Sequence, residues 1–299
     1  MERAEAWGHI MRDYDNVVCL SGTHGKTTST SMMTMMTIEA QMDPTVMVGS
    51  NLPAIGGTLR IGGKGCFVAE SCEYTNSFLR FAPTVSVILN VEEDHLDFFK
   101  DINDIIHSFH EFAELTPMNG LVVVNHDDPN AMRAVAHIDR RIRTFGTTSD
   151  ADVYPTEVRD ENGYYRFTVN IDGKEYAKVA LSVPGRHNML NALACCAAAE
   201  FLGVPGEAAE KGLNKFTGSS RRFQLVGKMP NGATVVDDYA HHPSEMKATL
   251  STAKEMHFDR ILCAFQPHTY TRTKALFPEF VDALKQCDQA ILAPIYAAR

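Results

Sequence analysis

The sequence predicts an α/β protein whose first unit has a largely parallel sheet. Apolar runs of strand length alternate there with helix-length segments, and two of the runs are almost continuous in Val, Ile and Leu. Such runs are typical of parallel strands that are buried on both faces. The predicted strands are 17–20, 45–48, 66–69, 84–89 and 121–124. The predicted helices between them are 75–81, 102–115 and 129–136.

The middle of the chain changes to a pattern of short antiparallel strands. Asn162-Gly163 and Asp172-Gly173 are strong two-residue hairpin signals, so 152–183 is predicted to form three strands, a small antiparallel subsheet. Helices are predicted at 188–202 and 206–214, and the polar stretch 215–220 is predicted to link two domains.

The predicted domains are residues 1–218 and 219–299. In the second domain, predicted strands at 234–236, 261–265 and 290–295 alternate with helices near 244–256 and 274–287. This alternation favours a Rossmann-like α/β domain. Because a doubly wound domain seldom ends on a strand without a covering helix, we expect this domain to be truncated.

Composition restricts the classes of partner. The chain has 299 residues, of which 44% are hydrophobic, and a formal net charge of -9. It is therefore globular and lacks the basic footprint of a nucleic-acid-binding protein. No stretch approaches the ~20 apolar residues of a membrane span, and the first residues lack the order of a signal peptide. We expect a cytoplasmic protein, a monomer or dimer with reduced cysteines, and no nucleic-acid or membrane partner.

A candidate phosphate-binding loop follows the first predicted strand. The segment Ser21-Gly22-Thr23-His24-Gly25-Lys26-Thr27-Thr28 precedes a stretch, 29–41, that has no Gly or Pro. In such loops, backbone N–H groups and a helix N-terminus face a phosphate, a Lys contacts the outer phosphates, and a Thr hydroxyl reaches Mg²⁺. The first Gly of the full motif would fall at Leu20, so the loop is a shortened variant. An ordinary strand-to-helix turn is the alternative.

Acidic residues follow two further predicted strands. Glu70 and Glu73 come after 66–69, and a run of acids that surrounds His95, residues 92–97, comes after 84–89. The carboxyl ends of parallel strands meet at one edge of a sheet, so these acids favour a metal site near the loop. Solvated acidic residues are the alternative at both places.

Two asparagines mark the start of the Ala-rich helix at 188–202. Asn188 is a natural N-cap, which explains it fully. Asn191 lies one turn further on in an Ala/Leu face, where an amide is costly unless something hydrogen-bonds it.

Charged residues of the second domain have open interpretations. Arg221-Arg222 is either a surface pair or a phosphate clamp at the interdomain cleft. The loop 237–243 resembles a metal- or ribose-contacting loop, although its adjacent His241 and His242 make a poor metal pair. Arg272, in the string 266–273, belongs either to a turn or to a carboxylate-binding site.

In their order along the chain, these motifs resemble those of the Mur ligase family. The matching segments are 22–28, 70–73, 90–97, 187–191, 221–223, 237–243 and 265–273. Within the family, His241-His242-Pro243 and the string 265–273 look like the alanine-adding branch. The resemblance implies a central ATPase domain and a C-terminal Rossmann-like domain. It also implies an ATP-dependent ligase that joins L-alanine to the carboxylate of UDP-N-acetylmuramate, in peptidoglycan biosynthesis.

The resemblance further implies roles for the candidate residues. The ATP-binding set is Gly22, Thr23, His24, Gly25, Lys26, Thr27, Thr28, Asn188, Asn191, Arg222 and Asp238. Two Mg²⁺ ions are implied, the first on Thr27 and Glu70 and the second on His95. Glu73 faces the muramyl substrate, and His268 and Arg272 receive the amino acid. Lys26, His95 and Arg222 would be catalytic as the muramyl carboxylate becomes an acyl phosphate, which the alanine amine then attacks.

Several alternatives stay open. A P-loop kinase would share Gly25-Lys26-Thr27, and the sister ligase that recycles muramyl tripeptide differs chiefly in the string 265–273. Folylpolyglutamate synthetase shares the fold but lacks the His-rich strings. A nucleotide-binding fragment without independent activity is the non-enzymatic alternative. Family members carry an N-terminal domain that binds uridine diphosphate, and we expect this sequence to lack a counterpart of it. We therefore expect the chain to bind Mg-ATP weakly and to ligate poorly or not at all.

Overall fold

The computed structural model describes residues 1–297, so the last two residues of the predicted second domain lie outside the described part. The strands of the first unit are β1 (Val17–Ser21), β2 (Thr45–Leu52), β3 (Gly57–Arg60), β4 (Phe67–Glu70), β5 (Val85–Ile88), β6 (Leu121–Asn125), β7 (Ile142–Phe145), β8 (Val153–Glu161), β9 (Tyr164–Ile171) and β10 (Lys174–Ala180). The helices are α1 (Arg3–Met11), α2 (Lys26–Glu39), α3 (Ile102–Glu114), α4 (Pro129–Ala134), α5 (Arg186–Phe201) and α6 (Gly206–Lys215).

Within residues 1–297, all of these strands form one sheet, in the order β10-β9-β8-β7-β6-β5-β1-β4-β2-β3. The strands from β7 to β2 in that order run parallel. The residues of β1 are apolar because helices cover both faces of the strand. Val18 and Leu20 pack with α2, α5 and α6, while Val17 and Cys19 pack with α1, α3 and α4. The prediction of a parallel sheet that is covered on both faces is therefore confirmed.

The three predicted antiparallel strands extend this sheet at one edge. β8 joins β7 through a single residue pair, Phe145 and Val153. β9 and β10 follow as hairpins, with Asn162 and Asp172 at positive φ in the turns. Asn-Gly and Asp-Gly turns have this geometry, so the hairpin signals gave the correct strands. The short edge strand β3 and the Arg-containing β7 had no apolar run that would have predicted them.

The second unit is smaller. Its elements are β11 (Gln224–Lys228), β12 (Thr234–Asp237), α7 (Pro243–Glu255), β13 (Leu262–Phe265), α8 (Tyr270–Ala275), α9 (Phe277–Leu284) and β14 (Gln289–Leu292). β13 and β14 pair in parallel, as an α/β unit requires, whereas β12 pairs antiparallel with β11, a strand that was not predicted.

Three predicted helices or helix starts were wrong in detail. The helix predicted at 274–287 is two helices, and the break lies at Leu276, just before Pro278, whose ring cannot continue a preceding helix. The segment predicted as a helix at 75–81 is a short 3₁₀ segment, Tyr74–Arg80, in which Thr75 and Asn76 are left-handed. The third is α5, which begins at Arg186 and not at the predicted Asn188.

None of the helices in residues 1–297 combines the length and apolar character needed to cross a membrane.

Candidate active site

The loop between β1 and α2 forms a cradle at the carboxyl edge of the sheet. α2 begins at Lys26, directly after Gly25, whose φ of 83° is a left-handed conformation that favours glycine. A Cβ at Gly25 would lie only 2.7 Å from Oδ1 of Asn191 in α5. No side chain caps this helix start, which leaves its N–H groups available to an anion. The loop therefore fits a phosphate group.

Lys26 places a fixed positive charge beside this loop. Its ammonium group donates to Oε2 of Glu73 at 2.9 Å and to the carbonyl oxygen of Thr23 at 3.0 Å. Burial lowers the pKa of Lys26, but the charge and hydrogen bond of Glu73, together with the nearby Cys72 and Glu70, outweigh burial and raise that pKa. Glu73 is itself only 2% exposed. The structure thus joins the predicted phosphate-binding Lys and the predicted muramyl-facing Glu in one buried ion pair.

Thr27 and Glu70 provide oxygen atoms that suit Mg²⁺. The Thr27 hydroxyl donates to Oε1 of Glu70 at 3.0 Å, and the backbone N–H of Gly49 donates to Oε2 at 2.6 Å. Hydroxyl and carboxylate oxygens are the ligands that Mg²⁺ prefers, so the two residues fit the predicted first ion.

His95 lies beside Glu73 and Asp94. Its Nε2 is 3.6 Å from Oε1 of Glu73 and 3.7 Å from Oδ2 of Asp94. The pKa of His95 is lowered, chiefly by burial. The charges of Asp94 and Glu73 oppose this effect, and those of Arg272 and Lys26 add to it. The imidazole is therefore neutral near pH 7 and keeps the lone pair that a metal ligand needs.

A cavity of about 230 Å³ lies between the two units. From the first unit it is lined by loop residues that include His24 and Thr28 and by helix α5, and from the second by Arg222, Asp238 and Glu245. The predicted adenine, ribose and phosphate contacts therefore surround one cavity, although they come from separate parts of the chain.

Asn188 and Asn191 both face this cavity and hydrogen-bond to each other. Nδ2 of Asn191 donates to Oδ1 of Asn188 at 3.2 Å, and Nδ2 of Asn188 donates to the carbonyl oxygen of Pro184 at 2.7 Å. These hydrogen bonds explain how the polar amide of Asn191 is tolerated on the Ala-rich helix. The N-cap assignment of Asn188 was wrong, because α5 begins two residues earlier, at Arg186, after Gly185 with a φ of 102°.

Arg222 and Asp238 approach the cavity from the second unit. Nη2 of Arg222 is 3.4 Å from the Thr27 hydroxyl, and its guanidinium lies 5.6 Å from the ring centre of Tyr239. Asp238 accepts the N–H groups of Phe223 and Ala240, both at 2.7 Å. Burial raises the pKa of Asp238 against these two hydrogen bonds.

The predicted linker 215–220 is anchored, since the buried hydroxyl of Ser219 lies 2.8 Å from the hydroxyl of Ser31 in α2.

His268 and Arg272 lie together near the start of α8, with Nδ1 of His268 3.3 Å from Nη1 of Arg272. They are on the side of His95, where Arg272 contacts the neighbouring Asp94.

Sequence reasoning missed a cluster of charged groups around His24. Nε2 of His24 is 3.4 Å from Glu92 and Nδ1 is 3.4 Å from Glu245, yet neither buried ring nitrogen has an aligned hydrogen bond. Burial lowers the pKa of His24, but the two carboxylates outweigh burial and raise that pKa to about 9. The sequence indicated this cluster only in part. Glu245 forms a capping box with His242, but the usual capping-box sequence has Ser or Thr at the N-cap position.

His24, Glu92 and His242 also lie close enough to hold a metal ion, with ligand atoms within 4.8 Å of one another. Both ring nitrogens of His242 are already engaged, however. Its Nε2 lies 3.0 Å from the carbonyl oxygen of Glu93, and its Nδ1 accepts the N–H of Ser244 at 3.3 Å.

The raised pKa of His24 predicts that stability depends on pH. Because the folded pKa of about 9 exceeds the ordinary value of 6.5, the contribution is complete below pH 6.5 and is lost as the pH rises through 9. We expect the melting temperature to fall between pH 7 and pH 9.5, for a loss of roughly 1–3 kcal/mol. The groups that face His24 are Glu92, Glu245 and His242.

Thermal unfolding of wild type and His24→Asn across this pH range tests the assignment. We expect the variant to lose most of the slope, and His107→Asn, which alters an exposed His on α3, to keep it. An equal slope in all three proteins would contradict the role of His24.

Fold and site together define an α/β nucleotide-binding protein with a P-loop, in which a second α/β unit lines the same cavity. The chain belongs to the Mur ligase family. Residues 20–199 match the Mur ligase middle domain, and residues 221–297 match the Mur ligase, glutamate ligase domain.

The similar proteins with curated names include two UDP-N-acetylmuramate--L-alanine ligases. The protein of Agathobacter rectalis is 48% identical over 300 residues, and that of Lachnospira eligens is 49% identical over 301. Each match covers the whole of this chain and 65% of the relative, so the chain spans about 65% of the length of these relatives.

The similar solved structures include a UDP-N-acetylmuramate-alanine ligase, MurC, from Thermotoga maritima. It has a TM-score of 0.80 and 28% identity over 97% of this chain and 64% of that protein. A MurF ligase from Thermotoga maritima, in complex with ADP, has a TM-score of 0.78 and 20% identity over 97% of this chain and 70% of that one, which supports the fold.

Proposed function

We propose that the protein to which this chain belongs joins L-alanine to the carboxylate of UDP-N-acetylmuramate at the expense of ATP, in the cytoplasm, as a step of peptidoglycan synthesis. The similar proteins of Agathobacter rectalis and Lachnospira eligens are named for this reaction. The observation that carries the proposal is the convergence of Lys26, the Thr27–Glu70 pair and Arg222 at the loop beside one interdomain cavity. The proposed domains are residues 1–218 and 219–299.

ATP is proposed to occupy this cavity. The loop from Gly22 to Thr28 would hold the phosphates, Asn188 and Asn191 the adenine, and Asp238 the ribose. The lone pairs that Asp238 does not use for backbone N–H groups remain for a hydroxyl. Arg222, whose Nη2 lies 3.4 Å from the Thr27 hydroxyl, would add a second cation to the phosphates.

Mg²⁺ would be held by Thr27 and Glu70, and a second ion by His95. When bound, these ions supply charge neutralisation between two anions, the muramyl carboxylate and the γ-phosphate. Lys26 and Arg222 do the same with protein charges that are already in place. Glu73 orients Lys26 and lies beside His95, on the side proposed for the muramyl group.

His268 and Arg272 are proposed to receive the carboxylate of alanine. The lowered pKa of His268, due to burial and then to the charge of Arg272, keeps this imidazole neutral. Transfer of the γ-phosphate of ATP to the muramyl carboxylate next to Lys26 would release ADP and form an acyl phosphate. The amine would then attack the acyl carbon, which gives the amide and phosphate.

Release of ADP tests this function. The full-length wild-type gene product is incubated with Mg-ATP, UDP-N-acetylmuramate and either L-alanine or the peptide portion of the muramyl tripeptide. We expect release to require both the muramyl nucleotide and alanine. Release with the peptide instead favours the recycling ligase, and release that needs neither acceptor favours a kinase or ATPase. Calorimetric binding of Mg²⁺ and an ATP analogue without any ligation would favour a nucleotide-binding fragment.

A further inference from the structure

The acidic loop 92–94 of the first unit contacts the second unit at three consecutive residues. The Ser244 hydroxyl donates to Glu92, and the carbonyl oxygen of Glu93 lies 3.0 Å from Nε2 of His242. Asp94 contacts Arg272. Sequence patterns indicated either a metal site or a solvated surface for these acids, and the structure uses them to join the two units.

The contact of Asp94 with Arg272 joins two largely buried, oppositely charged side chains. Oδ1 of Asp94 accepts from Nε of Arg272 at 3.0 Å and from Nη2 at 2.9 Å, and also from the backbone N–H of His95 at 2.7 Å. The Asp94 side chain is 7% exposed and the Arg272 side chain is 11% exposed. Two donors on one acceptor fix the plane of the guanidinium as well as its position.

This arrangement leaves one part of the guanidinium for other partners. Nε and Nη2 are engaged by Asp94, whereas Nη1 is directed to Nδ1 of His268 at 3.3 Å. Asp94 therefore determines that Nη1 is the part of the Arg272 guanidinium left for a carboxylate. Because Asp94 belongs to the first unit and Arg272 to the second, this orientation exists only when the two units are in contact.

We propose that Asp94 is a positioning residue, which orients Arg272 toward the carboxylate of the incoming amino acid and makes that site depend on closure of the two units. The inference rests on the proposed function for the identity of the amino acid. Asp94 itself touches neither the amino acid nor the nucleotide. It acts through Arg272, and through the backbone of His95 it also connects the amino-acid site to the proposed metal residue.

The first experiment uses the chain without substrates. Hydrogen exchange is measured for peptides that cover 92–98, 266–276 and the loop 22–28 in wild type, Asp94→Asn and Glu93→Gln. Glu93 is the matched control, because its side chain is exposed and only its carbonyl oxygen contacts His242. We expect Asp94→Asn to increase exchange in 266–276, with Glu93→Gln and the loop 22–28 unchanged. Equal exchange in all three proteins would overturn the proposal.

The second experiment measures the kinetics of alanine-dependent ADP release. Loss of one member of a buried, hydrogen-bonded charge pair predicts a rise of about 30-fold or more in KM for alanine. We expect KM for ATP to change less than about twofold, and Asp94→Glu to recover part of the loss. A purely structural role would instead change both KM values or kcat alone.

The two experiments separate this inference from the proposed function. If the full-length gene product shows no alanine-dependent release, the proposed function fails, and the exchange experiment still decides whether Asp94 holds Arg272. If wild type is active and Asp94→Asn has the wild-type KM for alanine, the function stands and the inference is overturned.

Discussion

Replacement of Lys26 by methionine is expected to abolish binding of the ATP analogue and to destabilise the protein. The nucleotide loses the cation nearest the loop. Glu73, which is 2% exposed, loses the ammonium group that lies 2.9 Å away. A buried carboxylate without its partner costs about 3–5 kcal/mol. Calorimetry with Mg²⁺ and the analogue measures binding, and urea unfolding measures the free energy of unfolding.

A second variant separates the two effects. Lys26→Met combined with Glu73→Gln removes both charges, so we expect it to recover most of the lost stability while nucleotide binding stays absent. Recovery of binding in the double variant would mean that Lys26 only neutralises Glu73. A single Lys26→Met variant with wild-type stability would show that Glu73 finds another partner or a proton.

Replacement of Glu70 by glutamine is expected to weaken the dependence of nucleotide binding on Mg²⁺. Oε1 of Glu70 accepts the Thr27 hydroxyl and Oε2 accepts the N–H of Gly49. An amide keeps one acceptor but removes the negative charge, and its NH₂ group would face one of these two donors. We expect the apparent affinity for Mg²⁺ to fall by about 100-fold, measured by titrating the ion at a fixed concentration of ATP analogue.

Asp97→Asn is the matched control for Glu70→Gln. Asp97 is an exposed member of the acidic run 92–97, which follows β5, and its Oδ2 accepts the hydroxyl of Tyr74 at 2.8 Å. We expect this variant to need no more Mg²⁺ than wild type. If Glu70→Gln also titrates like wild type, Glu70 is not a ligand and serves only to hold Thr27 and Gly49.

Local sequence was sufficient where a local signal decides the structure. The Val-rich run of β6 is buried along its whole length, and the Asn-Gly and Asp-Gly turns define β9 at both ends. Local sequence was insufficient where contacts with distant parts of the chain decide the structure. Gly185 allowed α5 to begin before Asn188, and nothing in the string around β12 indicated that it pairs with β11.

The candidate site shows the same division. The loop and the two glutamates after β4 could be predicted, because a strand end directs its following residues to one edge of the sheet. The partners of His24 and Asp94 could not be predicted from the sequence. Glu245 and Arg272 are far from them in sequence, and no local pattern indicates which acid will meet which base across an interface.

The single residue pair that joins β8 to β7 has a consequence for how the protein folds. Strands β8, β9 and β10 pair only with sequence neighbours on their own side of that joint, whereas Val17 must find Phe67 and Val18 must find Val85. Contacts of short sequence separation close with little loss of chain entropy, so the meander can assemble before the parallel strands. We therefore expect the edge formed by β8, β9 and β10 to form early and the parallel centre, with the phosphate cradle, to form late.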